Sequence, residues 1–289
     1  MERDMNAHEW LTQQFEANRP HLREVAFRML GSLGEADDAL QQTWLKLDRS
    51  DASGVENLTG WLTTIVARVC LDMLRSRASR REEAFDPRSH DRPAAGNPEE
   101  ELVVANAVGL ALLVVLDTLA PAERLAFVLH DIFAMPFEEI APIVDRSPEA
   151  ARQLASRARR RVQGQPPRSN GDLGRQREVV DAFLAAARGG DLRALLAILD
   201  PNVVLRGDAA AMRGAPAEIH GAAPVAERAI RGGARAAQPA LIGGELGVIV
   251  APRGRLLMLL RFTIDEGRIV AIDAIGDPER VRQLGLGVV

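Results

Sequence analysis

The sequence predicts a multidomain chain: two all-α domains followed by an α+β domain. At 289 residues it exceeds the usual ~100 to 200 residues of a single domain. Apolar residues follow a helical period up to about residue 165, and the remainder mixes helix and strand patterns. Between them, Gly164-Gln-Pro-Pro-Arg-Ser-Asn-Gly171 carries no apolar period and reads as a linker. A second linker from Glu82 to about Glu101 has seven acids against two arginines, and three prolines. The expected boundaries are therefore 1–85, an acidic linker 86–105, 106–166 and 167–289.

Composition narrows the function. The most apolar segment, Leu102 to Leu116, is broken by Asn106 and Gly109 and is too short to span a bilayer, so no membrane partner is expected. The acidic N-terminus lacks a secretory apolar segment, which makes a cytoplasmic location the expectation. Cys70 is the only cysteine, which excludes an intrachain disulfide and a thiolate metal cluster; a core role is expected for it. No metal and no cofactor is anticipated. The net charge of -4 is unlike a free DNA binder, but basic charge gathers in two runs, Arg75 to Arg81 and Arg152 to Arg161. Both runs are built of forked guanidiniums, suited to phosphates and guanine edges.

The segment from Phe137 to Val162 reads as a helix-turn-helix. Phe137, Ile140, Ala141 and Val144 follow the spacing of an amphipathic helix, although Pro142 removes a hydrogen bond inside it. Asp145-Arg146 makes a turn, Ser147 offers a cap oxygen, and Pro148 suits the first helical position. The second helix buries Ala151, Leu154, Ala155, Ala158 and Val162. Arg152, Gln153, Ser156, Arg157 and Arg160 then project outward, as a helix entering a major groove requires. A solvated arginine-rich helix of a bundle is the alternative.

Two more helices are expected upstream. In the first, Ala36, Ala39, Leu40, Thr43 and Leu47 face inward, leaving Asp37, Asp38, Gln41, Gln42 and Trp44 towards solvent or the rim. An exposed indole beside acids suggests a protein contact. In the second, Gly60 to Arg77, a stripe of Trp61, Thr64, Arg68, Asp72 and Arg75 could stack on and grip a single strand. Singly, Trp61 could equally cap a core, and Asp72 could pair with Arg68 or Arg75 along the helix.

Taken in order, Ala36-Asp-Asp-Ala-Leu-Gln-Gln-Thr-Trp44, Gly60-Trp-Leu-Thr-Thr-Ile-Val-Ala-Arg-Val-Cys-Leu-Asp-Met-Leu-Arg75, Leu119-Ala-Pro-Ala-Glu-Arg-Leu-Ala-Phe-Val-Leu129, Glu139-Ile-Ala-Pro-Ile-Val144 and Arg152-Gln-Leu-Ala-Ser-Arg-Ala-Arg-Arg160 resemble extracytoplasmic-function sigma factors of bacterial RNA polymerase. The resemblance implies that Asp38, Gln41 and Trp44 dock sigma region 2 on the clamp coiled coil of core polymerase. Gln42 stands where the family more often has glutamate. Asn57, with the loop Asp51 to Asn57, and the face of Trp61, Thr64, Arg68 and Arg75 would capture unstacked minus-ten bases. Arg152, Gln153, Ser156, Arg157 and Arg160 would read the minus-thirty-five duplex from region 4. The acidic linker would run through the polymerase's nucleic-acid path.

The last 120 residues or so lie beyond the usual end of that family. Two helices are expected, one on Val179, Val180, Phe183, Leu184 and Ala187, the other on Leu192, Leu195, Leu196 and Leu199. Strands follow at Val203 to Leu205, Leu246 to Val250, Arg255 to Ile264 and Arg268 to Ile275, the last two joined at Asp265-Glu266-Gly267. Phe183-Leu-Ala-Ala-Ala-Arg-Gly-Gly-Asp-Leu192 and Leu199-Asp-Pro-Asn-Val203 resemble the SnoaL-like domain of the nuclear transport factor 2-like cone fold. Some such domains are cyclases or isomerases, for which His220, Asp208 and Asp273 are the available groups. Others extend sigma factors and tune them in cis. Asp277-Pro-Glu-Arg-Val281 resembles a short regulatory motif of that class, so Asp277, Pro278 and Glu279 are the expected interdomain residues. Promoter-specific initiation with core RNA polymerase and promoter DNA as partners is the expected function, with a small ligand in the cone as a further candidate. A free-standing helix-turn-helix regulator and a cyclase-like enzyme are the alternatives.

Overall fold

The computed structural model describes residues 2–47, 55, 57–83, 109–164, 173–232, 234–252 and 256–288. The acidic linker 86–105, the stretch 165–172 and most of the loop Asp51 to Asn57 lie outside the described residues. The chain divides into two compact units, Met1–Glu101 with Leu119–Arg159, and Leu102–Thr118 with Arg160–Val289.

The first unit opens on three helices, α1 (Glu2–Leu30), α2 (Leu33–Leu47) and α3 (Leu58–Glu83). α1 ends at Gly31, whose positive φ lets its N–H turn back to the Phe27 carbonyl at 2.7 Å. α2 buries the apolar stripe read from its sequence, and the Thr43 hydroxyl, also buried, donates to the Ala39 carbonyl. α3 is enclosed on most of its circumference: Leu62, Val66, Ala67, Val69, Cys70, Leu71 and Leu74 are all buried. It packs on α1 and α2, and also on the helices that follow Leu119.

Those are α5 (Pro121–Phe127), which runs on into a π-helical turn Val128–Ile132, then α6 (Phe137–Val144) and α7 (Pro148–Gln163). The two helical groups meet at Arg124, which is 2% exposed and donates to the Arg28 carbonyl at 3.4 Å. Beside it, Phe133 takes the Arg28 guanidinium over its ring and the edge of His21.

The second unit contains α4 (Leu110–Asp117), the end of α7, and everything after it. Helices α8 (Leu173–Gly189) and α9 (Leu192–Ile198) lead into β1 (Leu199–Gly207), a helical turn α10 (Ala209–Met212), β2 (Glu218–His220) and α11 (Ala222–Arg231). Then come β3 (Ala237–Ile242), β4 (Glu245–Val250), β5 (Met258–Asp265), β6 (Arg268–Ile275), α12 (Pro278–Gln283) and β7 (Leu286–Gly287). The seven strands form one sheet, β2-β1-β6-β5-β4-β3-β7, antiparallel except where β1 runs beside β6. Helical domains followed by an α+β sheet domain are thus the architecture.

The core of the sheet domain combines Val180, Phe183 and Leu184 of α8 with Val203, Leu205, Val248, Val250 and Ile272 of the strands. The β5–β6 hairpin turns on Glu266 and Gly267, both at positive φ, as a two-residue turn matched to strand twist demands. Leu192 and Leu196, expected inside, are exposed: α9 is short and buries Leu195 alone. His220, expected in a loop, lies on β2. β3 passes through Pro239, which pairs with Val248 of β4, while β7 reaches only from Ile242 to Leu241, so among the described residues no strand on that side needs its missing N–H.

Candidate nucleic-acid and polymerase interface

The helix-turn-helix is assembled from local rules. α6 ends where Asp145 adopts the left-handed conformation, and Arg146 N–H returns to the Ala141 carbonyl at 3.1 Å. Ser147 Oγ then accepts from Ala150 N–H at 3.2 Å, capping α7, with Pro148 in its first turn. Glu149 lies in the same turn, and its carboxyl is held below its ordinary range, chiefly by a backbone N–H and also by the Ser147 hydroxyl. Pro142 is exposed, and α6 continues through it to Val144.

Ala151, Ala155, Ala158 and Val162 are buried, which turns Arg152, Gln153, Ser156, Arg157 and Arg160 outward, all exposed. The structure separates these five. Arg157 Nε donates at 2.8 Å to Glu123, whose side chain is only 10% exposed, and Arg159 is tied in the same way to Asp131. Arg152 lies 5.2 Å from the centre of the Phe137 ring, with its donors on the surface. Arg160 has no ion pair among the described residues. Arg152, Gln153, Ser156 and Arg160 are the ready donors, and Arg157 also braces the motif.

On α3 one stripe remains uncovered. Arg68, Asp72 and Arg75 are exposed and Trp61 and Thr64 half-buried, whereas the rest of the described circumference is largely covered. Asp72 pairs with neither arginine of its own helix; its carboxylate faces Lys46 at 3.9 Å. Neither Arg68 nor Arg75 forms an ion pair among the described residues. Thr64 donates its hydroxyl to the Gly60 carbonyl. Asn57 caps α3, accepting from Gly60 N–H at 3.0 Å, so it sets where the stripe begins.

The third set also comes together. Asp38, Gln41 and Trp44 line a groove of about 440 Å³ whose other wall is Thr12, Phe15, Glu16 and Arg19 of α1. The indole, expected towards solvent or the rim, is half-buried and leans on Phe15, ring centres 5.2 Å apart. Asp37 is engaged by Arg23 at 2.7 Å, but Asp38 has no ion pair among the described residues. Leu45, one turn beyond Gln41 and Gln42, is 60% exposed. Sequence reasoning passed over it because leucine on an amphipathic helix is assigned inward; its offset from Asp38, Gln41 and Gln42 was the available signal.

The sheet domain offers no equivalent chemistry. Its cavity, about 70 Å³ and partly open to the surface, is lined by apolar side chains including Phe183, Leu205 and Met258, and among the described residues Arg228 is the only titratable group on its wall. His220 is 66% exposed and faces Glu218 at 3.2 Å. Asp208 caps α10 through Ala211 N–H and also accepts from Gly276 and Asp277 N–H. Burial works to raise its pKa, but these three donors and Arg280 outweigh that and hold it below the ordinary carboxylate range. Neither His220, Asp208 nor Asp273 lines the cavity. Asp277 in turn caps α12, accepting from Glu279 and Arg280 N–H, with Pro278 first in the helix and Glu279 exposed.

Family models match at two places, Sigma-70 region 2 over residues 14–80 and Sigma-70 region 4 over residues 109–162. The ECF RNA polymerase sigma factor SigJ of Mycobacterium tuberculosis is 36% identical, covering 92% of both chains. The chain belongs to the ECF RNA polymerase sigma factors. A second relative of this sigma factor, the probable ECF RNA polymerase sigma factor SigI of the same species, is 32% identical over 97% of this chain and 98% of its own. Among solved structures, the crystal structure of M. tuberculosis SigJ covers 93% of this chain and 97% of its own at 33% identity, with a TM-score of 0.46. An NTF2-like protein of unknown function from Burkholderia xenovorans covers 36% of this chain and 84% of its own at 17% identity and a TM-score of 0.28. As a sigma factor, the chain works with core RNA polymerase on promoter DNA. No described helix is long and apolar enough to cross a membrane.

Proposed function

We propose that this sigma factor engages polymerase and promoter through the three surfaces above, in the cytoplasm. Asp38, Gln41 and Trp44 dock core enzyme. Trp61, Thr64, Arg68 and Arg75 hold the opened minus-ten strand, with Asn57 fixing the start of their helix. Arg152, Gln153, Ser156, Arg157 and Arg160 read the minus-thirty-five duplex. The observation that carries this reading is the uncovered stripe on α3, a helix enclosed on most of its described circumference. A stripe of one indole and two guanidiniums that form no ion pair among the described residues is chemically suited to stacking and phosphate contact.

The C-terminal domain is read as a modulator in cis rather than an enzyme, with the capped turn at Asp277, Pro278 and Glu279 as one of its contact points. An apolar cavity with no acid or histidine on its wall among the described residues supports that. At about 70 Å³ it is also smaller than the roughly 150 Å³ cavity that admits benzene, so the effect is placed on the chain's own contacts and not on a small ligand. Run-off transcription with core polymerase tests the whole reading. Arg68→Ala with Arg75→Ala should lose promoter opening, and residues 1–168 should differ from the full chain; equal activity in both comparisons overturns it.

A further inference from the structure

The region 4 match, residues 109–162, begins and ends inside the second compact unit. Its first helix, α4, is apolar up to its last residue, Asp117: Ala111, Leu113, Val114, Val115 and Leu116 are all buried, and at 100° per residue they surround the helix. Its partners in the sheet domain are β3 and β7. Its last turn is bonded to the same place. Val288 N–H donates to the Val162 carbonyl at 2.9 Å, and the backbones of Gly164 and Gly287 touch. A Cβ on Gly287 would lie 2.8 Å from the Gln163 carbonyl oxygen, and one on Gly164, already at positive φ, 2.8 Å from Gly287 Cα. β7 is itself held by β3, with Leu241 opposite Gly287 and Ile242 opposite Leu286, and by Gly243 N–H on the Gly285 carbonyl.

We infer that the C-terminal domain is an obligate part of the minus-thirty-five reader: β7 is a latch that covers α4 and fastens the end of α7. A helix turn buried all round needs cover on every side, and the β3–β7 edge of the sheet supplies part of it. The glycine pair follows from this, since the latch lies backbone to backbone on the end of the recognition helix and leaves no room for a side chain. The extension therefore supports region 4, and its loss costs promoter recognition.

The inference rests on the reading of α7 as the duplex-reading helix, and hydrogen exchange tests the latch apart from that reading. Three full-length or near full-length proteins serve: a chain ending at Gly285, Gly287→Val, and Val288→Pro, which removes one N–H donor. Exchange of the Ala111–Leu116 and Val162–Gly164 amides should quicken about tenfold or more, as loss of a bond worth ~1.4 kcal/mol implies. Amides of α3 should stay protected, and transcription with core polymerase from a minus-thirty-five-dependent promoter should fall by a similar factor. Unchanged protection of Ala111–Leu116 in the shortened chain and in Val288→Pro overturns the latch. Lost protection with equal or higher transcription overturns its supporting role. Arg152→Ala is the companion: if it too leaves transcription intact, the reading of α7 has failed instead. Should the shortened chain not fold, Val288→Pro decides.

Discussion

Replacing Asp208 with alanine should unfasten the start of α12 and lower the stability of the sheet domain. One carboxylate serves three backbone donors: Ala211 N–H at 2.9 Å, Gly276 N–H at 3.1 Å and Asp277 N–H at 3.0 Å. Losing the cap costs about 1 kcal/mol, and each of the two further bonds to a charged acceptor about 1.5. Gly276 leaves no easy repair, since a Cβ there would already sit 2.6 Å from Ala211 N. The expected loss is about 3 to 4 kcal/mol, which for a domain of this size lowers Tm by about 10 °C. Asp208→Asn keeps one acceptor and should lose about half as much. The pH dependence has a definite sign. A carboxyl whose folded-state pKa is depressed stabilises above its unfolded value, near ~3.9, and that contribution fades as pH falls through the folded value. The stability gap between wild type and Asp208→Ala, from urea melts monitored by circular dichroism, should therefore be full at pH 6 and shrink below about pH 4. A gap under 1 kcal/mol at pH 6, or one that does not shrink in acid, refutes the reasoning.

Arg152→Ala should cost about 1 to 3 kcal/mol of promoter affinity if the side chain reads a base, and at most about 1 kcal/mol of stability from the ring contact with Phe137. Fluorescence anisotropy of the holoenzyme on matched and mutated minus-thirty-five elements separates these; a loss equal on both sequences would mark a phosphate contact instead. Asp38→Arg should abolish capture by core polymerase in pull-down with Tm unchanged, because Asp38 has no ion pair among the described residues to break. Cys70 is buried and its thiol is pushed up to about 12, by burial above all, so native protein at pH 8 should resist a disulfide reagent that labels unfolded chain at once. Glu123→Ala should release Arg157 and cost about 1 to 3 kcal/mol in chemical denaturation, since the lost acceptor is mostly buried and charged.

Much of the geometry of the candidate interface was legible in the sequence because it rests on period and capping. The faces of α2, α3 and α7 follow from 3.6-residue spacing, and the turn at Asp145 to Pro148 from cap chemistry. Partners distant in sequence were not legible. The bridge from Arg157 to Glu123, the pairing of Asp72 with Lys46, and the burial of Arg124 depend on tertiary proximity, and composition argues against a buried arginine. In the sheet domain the β5–β6 hairpin announced itself through Glu266-Gly267, whereas β2 and β7 are too short to show alternation and β3 is interrupted by Pro239. Asp208, a candidate catalytic group by residue type, accepts from three main-chain N–H groups, a role that no sequence pattern reports.

The order of synthesis gives α4 a difficult start. It leaves the ribosome some 170 residues ahead of β7, the strand that helps cover it. At bacterial elongation rates that interval is about 10 to 30 s. Throughout it, a run of leucine and valine has no finished sheet to lie on, and such a run is a segment around which nascent chains aggregate. The burden on chaperones should therefore depend on translation speed through the last third of the message, so that slow codons placed there lower the soluble yield of a protein whose amino-acid sequence is unchanged.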